Sequence, residues 1–267
     1  MIGRVLWRLA RETDPRLLAR FGRGMLWNGV RAVNTFNRRV RRGEYFPAFL
    51  FLSLTNACNL RCQGCWVTPT TPPLDLPLET ASSILADAAA HGCRFFGLMG
   101  GEPLLYKDLF TLCARHPDCY FQLFTNGTLI NEHAADAMRR LGNITPLISV
   151  EGLAAVSDER RGGNNVFAHA MHAIALCRHY GLITGVATSV CASNFQDVVS
   201  DAFVRDMIGR GVHYLWYYIY RPVGAMPCPE LALTHEQILS LRRFIVDART
   251  RHPILIIDAY WDHRGHA

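Results

Sequence analysis

The sequence has 267 residues, of which 50% are hydrophobic and 19% are charged. A chain of this length and composition can bury a large apolar core, which excludes an intrinsically disordered protein. It contains nine cysteines, an odd number, and no secretory pattern at its N-terminus. We therefore expect a cytoplasmic setting, in which clustered cysteines indicate metal binding or catalysis rather than disulfides. No apolar run is long enough to cross a bilayer as a helix.

The positive charge lies at the N-terminus. Residues 1–44 hold 11 arginines and three acidic residues, a net charge of +8, whereas the rest of the chain carries −2. Apolar residues from Ile2 to Leu9 recur at helical spacing. Asp14 followed by Pro15 is typical of a helix start, and this second helix is expected to end before Gly43. We predict that residues 1–46 form a basic, amphipathic helical extension.

Two interpretations of this extension remain open. The first is a pair of helices packed on the main domain, with solvated arginines. The second is a pair of interfacial helices on anionic lipid, because Trp7, Phe21, Trp27 and Phe36 accompany the arginines. This second interpretation predicts peripheral membrane contact through residues 1–44. A nucleic-acid partner is not expected.

From Pro47 onward, short apolar runs alternate with helical segments. The predicted strands are 48–54, 94–99, 119–125, 145–151, 183–190 and 213–219. The predicted helices are 77–91, 106–116, 131–141, 165–180, 196–210 and 235–251. This alternation predicts an α/β fold with a parallel sheet curled into a partial (β/α)6 TIM-like barrel, whose chemistry lies at the carboxyl ends of the strands. We assign residues 47–220 to this core and residues 221–267 to a C-terminal helix and strand.

Three cysteines follow the first predicted strand closely. Cys58, Cys62 and Cys65 have the spacing C-x3-C-x2-C, and three soft ligands within eight residues can fold around one metal centre. A structural zinc site and a thiolate-bound 4Fe-4S cluster both normally use four ligands, so three thiols on a cluster leave one iron open. Two alternatives stay open, namely a zinc site completed by a histidine and three unrelated buried thiols.

This cysteine motif resembles that of the radical S-adenosylmethionine (radical SAM) enzymes. The resemblance implies that Cys58, Cys62 and Cys65 hold a 4Fe-4S cluster and that S-adenosyl-L-methionine binds its open iron. It also implies reductive cleavage of S-adenosylmethionine to a 5'-deoxyadenosyl radical. One departure is Gly64, where the family usually has an aromatic residue; here Trp66 follows the third cysteine instead.

Motifs at the other strand ends extend the resemblance. A G-G-E-P run follows the second strand, T-N-G the third and S-V-E-G the fourth, and an R-R-G-G run comes next. Each motif alone is typical of a turn, but together they fall where the barrel places its site. The resemblance implies that cofactor-binding residues are Gly100, Gly101, Glu102, Pro103, Asn126, Ser149, Glu151, Arg161 and Thr188.

The remaining cysteines and aromatic residues give weaker signals. Cys228 lies in a loop, where it could bind something, but one thiol does not make a site. Tyr218 on the predicted strand 213–219, and Tyr220 and Arg221 directly after it, are candidate substrate contacts, although core packing is the default. Buried, inert thiols are expected for Cys93, Cys113, Cys119, Cys177 and Cys191.

We expect a radical SAM enzyme that modifies a peptide or protein and receives electrons from a donor such as ferredoxin or flavodoxin. A lipid-modifying enzyme at the membrane surface is the second hypothesis, because of the basic N-terminus. A non-catalytic or truncated cluster-binding protein is the third. Many relatives continue into a cysteine-rich C-terminal extension with auxiliary clusters, and we expect this extension to be absent or truncated here.

Overall fold

The computed structural model describes residues 2–258, and its centre is a seven-stranded parallel sheet. Each strand pairs with its neighbours in sequence, from the first to the last. The strands are β1 (Leu50–Ser53), β2 (Phe95–Met99), β3 (Tyr120–Thr125), β4 (Ile144–Ser149), β5 (Gly185–Val190), β6 (Tyr214–Ile219) and β7 (Leu255–Asp258). The alternation of strands and helices therefore predicted the α/β class and the strand direction correctly.

The sheet is curled into a barrel-like form. The ring of Phe124 on β3 lies 5.9 Å from the ring of Trp216 on β6. Three strand spacings separate these strands, about 14 Å in a flat sheet, so the sheet must bend to bring the rings together. The predicted barrel is confirmed, but it has seven strands rather than six. Leu255 and Ile256 on β7 pair with Tyr214 and Leu215, so the end of the described chain extends the sheet.

Helices connect the strands and cover the outside of the sheet. Of the six predicted helices after residue 47, five are found within a few residues of their expected bounds. The remaining one, predicted at 196–210, is divided into two helices. The helices are α1 (Ile2–Glu12), α2 (Pro15–Phe21), α3 (Asn28–Val40), α4 (Leu78–Ala90), α5 (Leu109–Arg115), α6 (Glu132–Leu141), α7 (Ala154–Arg161), α8 (Val166–His179), α9 (Phe195–Val198), α10 (Asp201–Gly209) and α11 (His235–Arg251). A π-helical turn, Gly22–Trp27, joins α2 to α3. The sequence did not predict α7, because its charged residues lack an apolar periodicity.

The N-terminal extension closes the amino end of the barrel. Carbonyl groups just before five strands accept hydrogen bonds from it. These bonds are Arg39 to His91 O (2.7 Å), Arg20 to Leu141 O (2.7 Å), the Asp14 amide to Gly181 O (3.0 Å), and Arg8 to Val212 O (3.1 Å) and Pro253 O (3.0 Å). Asp14 also caps α2, as its position before Pro15 predicted, by accepting a 2.9 Å hydrogen bond from the Arg16 amide. The cysteine loop follows β1 at the opposite end of the sheet.

Apolar side chains of the extension fill this end of the barrel. Leu9, Leu18 and Phe21 pack against a buried cluster that includes Leu147 and Tyr214. Phe21, predicted to face lipid in the interfacial interpretation, instead contributes to the barrel interior. Arg8 is also buried, so not all the arginines are solvated. Within residues 2–258, no helix is both long and apolar enough to cross a bilayer.

The contact between the extension and β6 predicts a pH-dependent stability. His213 is buried just before β6, and burial lowers its pKa to about 4. Glu12 opposes this effect, while Arg8 and Arg178 add to it. Because the folded pKa is depressed, neutral His213 stabilises the fold above pH 6.5, and this contribution is lost as the pH falls toward 4. His213 alone should therefore make the free energy of unfolding, measured in urea, about 2 kcal/mol lower at pH 5.0 than at pH 7.5.

His213→Asn is the variant that checks this prediction. The His213 Nδ1 atom accepts a 3.1 Å hydrogen bond from the Thr184 amide, and an asparagine oxygen can take its place. The variant should lose about 2 kcal/mol of the pH dependence between pH 7.5 and 5.0. An unchanged difference between the two pH values would assign the acid sensitivity to other groups.

Candidate functional site

The three cysteines lie on one loop after β1. Cys58 and Cys62 are half-buried, and Cys65 is exposed. Burial raises the pKa of the Cys58 and Cys65 thiols, and the neighbouring thiols add to this effect, which reflects their proximity. Among residues 2–258, however, no three His, Cys, Asp or Glu side chains converge on one metal position. The three thiols as positioned therefore do not meet at one centre, and no histidine completes a ready-made zinc site in this part of the chain.

The two glycines after β2 allow the cysteine loop to approach closely. The Gly101 amide donates to Thr55 O at 2.8 Å, and the Glu102 amide donates to Ala57 O at 2.7 Å. A Cβ atom on Gly100 or Gly101 would overlap these same carbonyl oxygens. The glycines therefore allow the close backbone approach that positions the chain leading into Cys58.

Glu102 is fully buried, and its carboxylate faces the end of β3. It accepts hydrogen bonds from Thr125 Oγ1 (2.7 Å), the Asn126 amide (2.7 Å) and the Leu104 amide (3.1 Å). Burial raises the pKa of this carboxyl. Its hydrogen bonds join the β2 and β3 ends, so a cationic ligand would have to share oxygens that already have partners.

Asn126 connects the end of β3 to the cysteine loop. Its Nδ2 donates to Asn59 Oδ1 at 2.8 Å, and Asn59 in turn donates to Thr128 Oγ1 at 2.8 Å. Asn126 is only 6% exposed. Sequence reasoning did not single out Asn59, which follows the first cysteine and carries this contact.

A cavity of about 460 Å³ opens beside the cysteine loop at the carboxyl ends of the strands. Its wall includes Cys62 and Cys65, together with Ser149, Glu151 and Arg161, three of the nine predicted cofactor-binding residues. The other predicted positions, Gly100, Gly101, Glu102, Pro103, Asn126 and Thr188, are not part of this wall. The structure thus divides the predicted residues into a cavity group and a group behind it.

An ion pair joins the cavity wall to the cysteine loop. Arg161 Nη2 lies 2.5 Å from Glu151 Oε1, and Arg161 Nη1 lies 3.7 Å from Cys62 Sγ. Burial alone would lower the pKa of Arg161, but the charge of Glu151 and the neighbouring thiols raises it above its usual value. The buried Nε of Arg161 has no hydrogen-bond partner within the described chain, so this guanidinium can still donate to a ligand.

Thr188 points away from the cavity. Its hydroxyl is buried and donates to Val150 O at 2.8 Å. Side chains alternate along a strand, so the adjacent Ala187 and Ser189 line the cavity instead. The Ser189 amide also donates to Glu151 Oε2 at 3.0 Å. The strand was predicted correctly, but its inward register was not assigned.

Tyr220 and Arg160 were not assigned a role in holding the cysteine loop. Gly64 has a φ of +65°, and the Tyr220 ring occupies the space that a side chain at this position would need. Arg160 donates to Gln63 O at 2.7 Å and lies 5.6 Å from the Tyr220 ring. An aromatic ring from the end of β6 thus packs against the loop where Gly64 has none.

The other thiols match their expected buried state. Cys93, Cys113, Cys119, Cys177 and Cys191 are all buried. Burial raises the pKa of Cys93 and Cys119 to about 11 and that of Cys177 to about 12, which makes these thiols unreactive at neutral pH. Cys228 is half-buried, and its backbone amide donates to the Tyr220 hydroxyl at 3.1 Å.

The donor set fits an iron–sulfur cluster with a bound organic cation and carboxylate. Three thiols on one loop suit iron, and the adjoining cavity has space for a small molecule beside them. Arg161 offers an unpartnered donor, and the Glu151 carboxylate lies in the same wall, paired with Arg161.

Comparison with protein families identifies the chain. The model of the Radical SAM superfamily matches residues 52–199, more than half of the sequence. The chain belongs to the radical SAM superfamily. This family consists of enzymes that bind a 4Fe-4S cluster and S-adenosylmethionine, so the resemblance stated from the motifs is confirmed.

Several proteins of known sequence or structure are similar to large parts of this chain. Pre-heme d1 synthase of Dinoroseobacter shibae is 29% identical over 190 residues, which cover 70% of this chain and 47% of that protein. The sporulation killing factor maturation protein SkfB of Bacillus subtilis is 31% identical over 161 residues, 59% of this chain and 39% of that protein. The crystal structure of Streptococcus suis SuiB bound to its precursor peptide SuiA has a TM-score of 0.70 at 16% identity, covering 85% of this chain and 52% of SuiB. The chain thus spans about half the length, or less, of these relatives.

Proposed function

We propose that this radical SAM protein holds a 4Fe-4S cluster on Cys58, Cys62 and Cys65, cleaves S-adenosylmethionine reductively and modifies a peptide or protein. The observation that carries the proposal is the cavity of about 460 Å³ into which the cysteine loop opens. When bound, the two cofactors supply a 5'-deoxyadenosyl radical after one-electron reduction. An electron donor such as ferredoxin or flavodoxin is part of the proposal.

The chain's own residues would bind and orient the cofactors. Arg161 would donate to the carboxylate of S-adenosylmethionine while its pair with Glu151 keeps it in place. Ser149 and the neighbouring Ser189 supply hydroxyl groups to the same wall. These contacts fix one ligand orientation, which the chemistry requires because the radical carbon must meet one substrate hydrogen.

The buried group behind the wall would position the cysteine loop. Gly100 and Gly101 admit its backbone, Glu102 joins the β2 and β3 ends, and Asn126 bonds Asn59 within the loop. Pro103 begins the turn after Glu102, and Thr188 ties β5 to β4 through Val150 O. Direct contacts of Glu102 and Asn126 with the cofactor remain part of the proposal as predictions from the family motifs.

A peptide or protein is the proposed substrate. SkfB is named as a maturation protein, and SuiB was crystallised with a precursor peptide. The name pre-heme d1 synthase, in contrast, refers to a heme precursor, so the relatives do not share one substrate. Aromatic side chains on the cavity wall, Phe51, Phe124 and Tyr218, offer the flat apolar surfaces on which peptide side chains pack.

The cellular setting of this enzyme is proposed to be the cytoplasm, with peripheral membrane contact through residues 1–44. A lipid substrate remains the second hypothesis, because the same basic extension that favours membrane contact would also bring the enzyme to lipid.

The test is anaerobic reconstitution with iron and sulfide, followed by dithionite reduction and electron paramagnetic resonance with and without S-adenosylmethionine. The signal should change on addition of S-adenosylmethionine, and 5'-deoxyadenosine should accumulate. A cluster that binds S-adenosylmethionine without forming 5'-deoxyadenosine would favour the non-catalytic hypothesis.

The substrate class can be found in the same assay. Peptide and lipid fractions from a deuterated culture of the source organism are added separately, and deuterium in 5'-deoxyadenosine is measured by mass spectrometry. Transfer from the peptide fraction is expected. Transfer from the lipid fraction alone would replace the peptide proposal with the lipid hypothesis.

A further inference from the structure

The outer side of the N-terminal extension exposes large apolar side chains. These residues are between 48% and 76% exposed, in helices whose other side closes the barrel. They are Ile2, Leu6, Trp7, Leu26, Trp27, Val30 and Val33. We call these seven residues, with the arginines between them, the outer face. A helix on a globular protein normally turns polar residues to water, so this face is unusual for a solvent-exposed surface.

The exposed residues follow a helical stripe. Leu26, Trp27, Val30 and Val33 recur at intervals of one, three and three residues, so they share one side of the π-helical turn and α3. Residues on the other side are buried, among them Gly24 against Tyr120 and Ala32. On α1, the buried Arg8 faces the barrel while Ile2, Leu6 and Trp7 are exposed.

Unpaired positive charge surrounds this apolar stripe. Five exposed arginines of the extension make neither a salt bridge nor a side-chain hydrogen bond with any described residue: Arg4, Arg11, Arg31, Arg41 and Arg42. Two of the three carboxylates of residues 1–44 already form ion pairs. Glu12 pairs with Arg8 within the extension, and Asp14 pairs with Arg139 of the barrel. The Arg11 guanidinium lies 5.2 Å from the Trp7 ring, so cation and aromatic ring are presented together. The outer face therefore combines apolar area with positive charge.

We infer that the outer face docks on an anionic lipid bilayer. This inference deepens the membrane contact in the proposed function and does not depend on the cofactor chemistry. Aliphatic side chains such as Leu26 and Val30 gain from an apolar phase, which nucleic-acid phosphates do not provide, and tryptophan favours the headgroup level. A second copy would oppose two faces of like charge, which disfavours self-association.

Docking in this way orients the enzyme. The extension lies at the amino ends of the strands, whereas the cysteine loop and the cavity lie at the carboxyl ends. Strands of four to six residues separate the two ends by about 13 to 20 Å. The cavity therefore opens away from the bilayer, toward substrates in the aqueous phase or projecting from the membrane. A lipid would have to leave the bilayer to reach it.

Vesicle co-sedimentation tests this inference with the full chain. Phosphatidylcholine vesicles are compared with vesicles that contain 30 mol% phosphatidylglycerol. Binding to the anionic vesicles should be at least tenfold stronger, and 0.5 M salt should weaken it by a similar factor, because salt screens the attraction between arginines and anionic headgroups. Deleting residues 1–44 is a poor test, because it would open the barrel interior at Leu9, Leu18 and Phe21.

Matched substitutions localise the contact. Trp7→Ser/Trp27→Ser should reduce binding to anionic vesicles at least tenfold, whereas Leu239→Ser/Val246→Ser, at exposed positions of α11, should not. Arg4→Gln/Arg31→Gln should reduce it at least fivefold, whereas Arg205→Gln/Arg243→Gln removes the same charge elsewhere and should change it less than twofold. Circular dichroism and thermal unfolding confirm that all four variants fold.

Three outcomes would overturn the inference. One is equal loss of binding in the outer-face variants and their controls, and another is no preference for anionic vesicles. The third is a different occupant of the face. If the full chain does not bind vesicles, two results would identify another occupant of the outer face. The chain would form a dimer in analytical ultracentrifugation, or it would shift RNA in a gel. In either case Trp7→Ser/Trp27→Ser would abolish the interaction.

Discussion

Replacing Cys58, Cys62 and Cys65 with alanine is expected to reduce bound iron from about four atoms per chain to near zero after anaerobic reconstitution. The reason is that thiolates supply all the protein bonds to iron in the proposed site. The brown colour, the reduced-state electron paramagnetic resonance signal and 5'-deoxyadenosine formation should disappear together. Iron and sulfide analysis, with the resonance spectrum, measures the effect.

Cys228→Ala provides the matched control. Cys228 is half-buried and lies near the site, where its backbone amide donates a hydrogen bond to the Tyr220 hydroxyl. It is not among the proposed ligands. This variant should keep about four iron atoms and the spectral response to S-adenosylmethionine. A loss of iron in Cys228→Ala, or full iron retention in the triple variant, would show that the ligands have been assigned to the wrong thiols.

The fold was largely predictable because apolar runs alternate regularly with helical segments. Strand ends also follow from this pattern, which is why the motif after β2 and the cysteines after β1 were placed at the same end of the sheet. A strand was expected in the C-terminal segment, but four residues, Leu255–Asp258, give too little periodicity to predict that it extends the barrel sheet. Its assignment needs the pairing with β6, a contact between residues 41 positions apart at Tyr214 and Leu255.

The direction of individual side chains was less predictable. A motif places Thr188 at a strand end, but only the register decides whether Thr188 or Ser189 faces the cavity. The direction of the Glu102 side chain was equally hard to predict. Its carboxylate accepts hydrogen bonds from Leu104, Thr125 and Asn126. No local sequence signal encodes the second and third of these contacts.

The N-terminal extension shows the same limit at a larger scale. Its amphipathic pattern and its charge were visible in the sequence, but both open interpretations assumed one role for each helix. In the structure, one side closes the barrel through Leu9, Leu18 and Phe21, while the other exposes Trp7 and Trp27. Packing against the barrel and exposure of a basic apolar face are therefore compatible.

Arg161→Met is expected to lower the free energy of unfolding by about 3 kcal/mol, because it leaves the buried Glu151 carboxylate without its partner. The Glu151 side chain is only 5% exposed and that of Arg161 14%. Adding Glu151→Gln should recover at least half of the loss, since glutamine can still accept from the Ser189 amide without burying a charge. Urea unfolding of the single and double variants gives the coupling energy.

A surface ion pair serves as the control for this cycle. Arg140 pairs with Asp136 on α6 at 3.0 Å, and their side chains are 67% and 43% exposed. Arg140→Met should change the free energy of unfolding by less than about 0.5 kcal/mol.

Both Arg161→Met and the double variant should lose S-adenosylmethionine binding in equilibrium dialysis, because each lacks the guanidinium. Restored stability without restored binding would separate the structural role of the pair from that of Arg161 as a ligand. Equal effects of Arg161→Met and Arg140→Met would contradict the assignment of a buried, coupled pair.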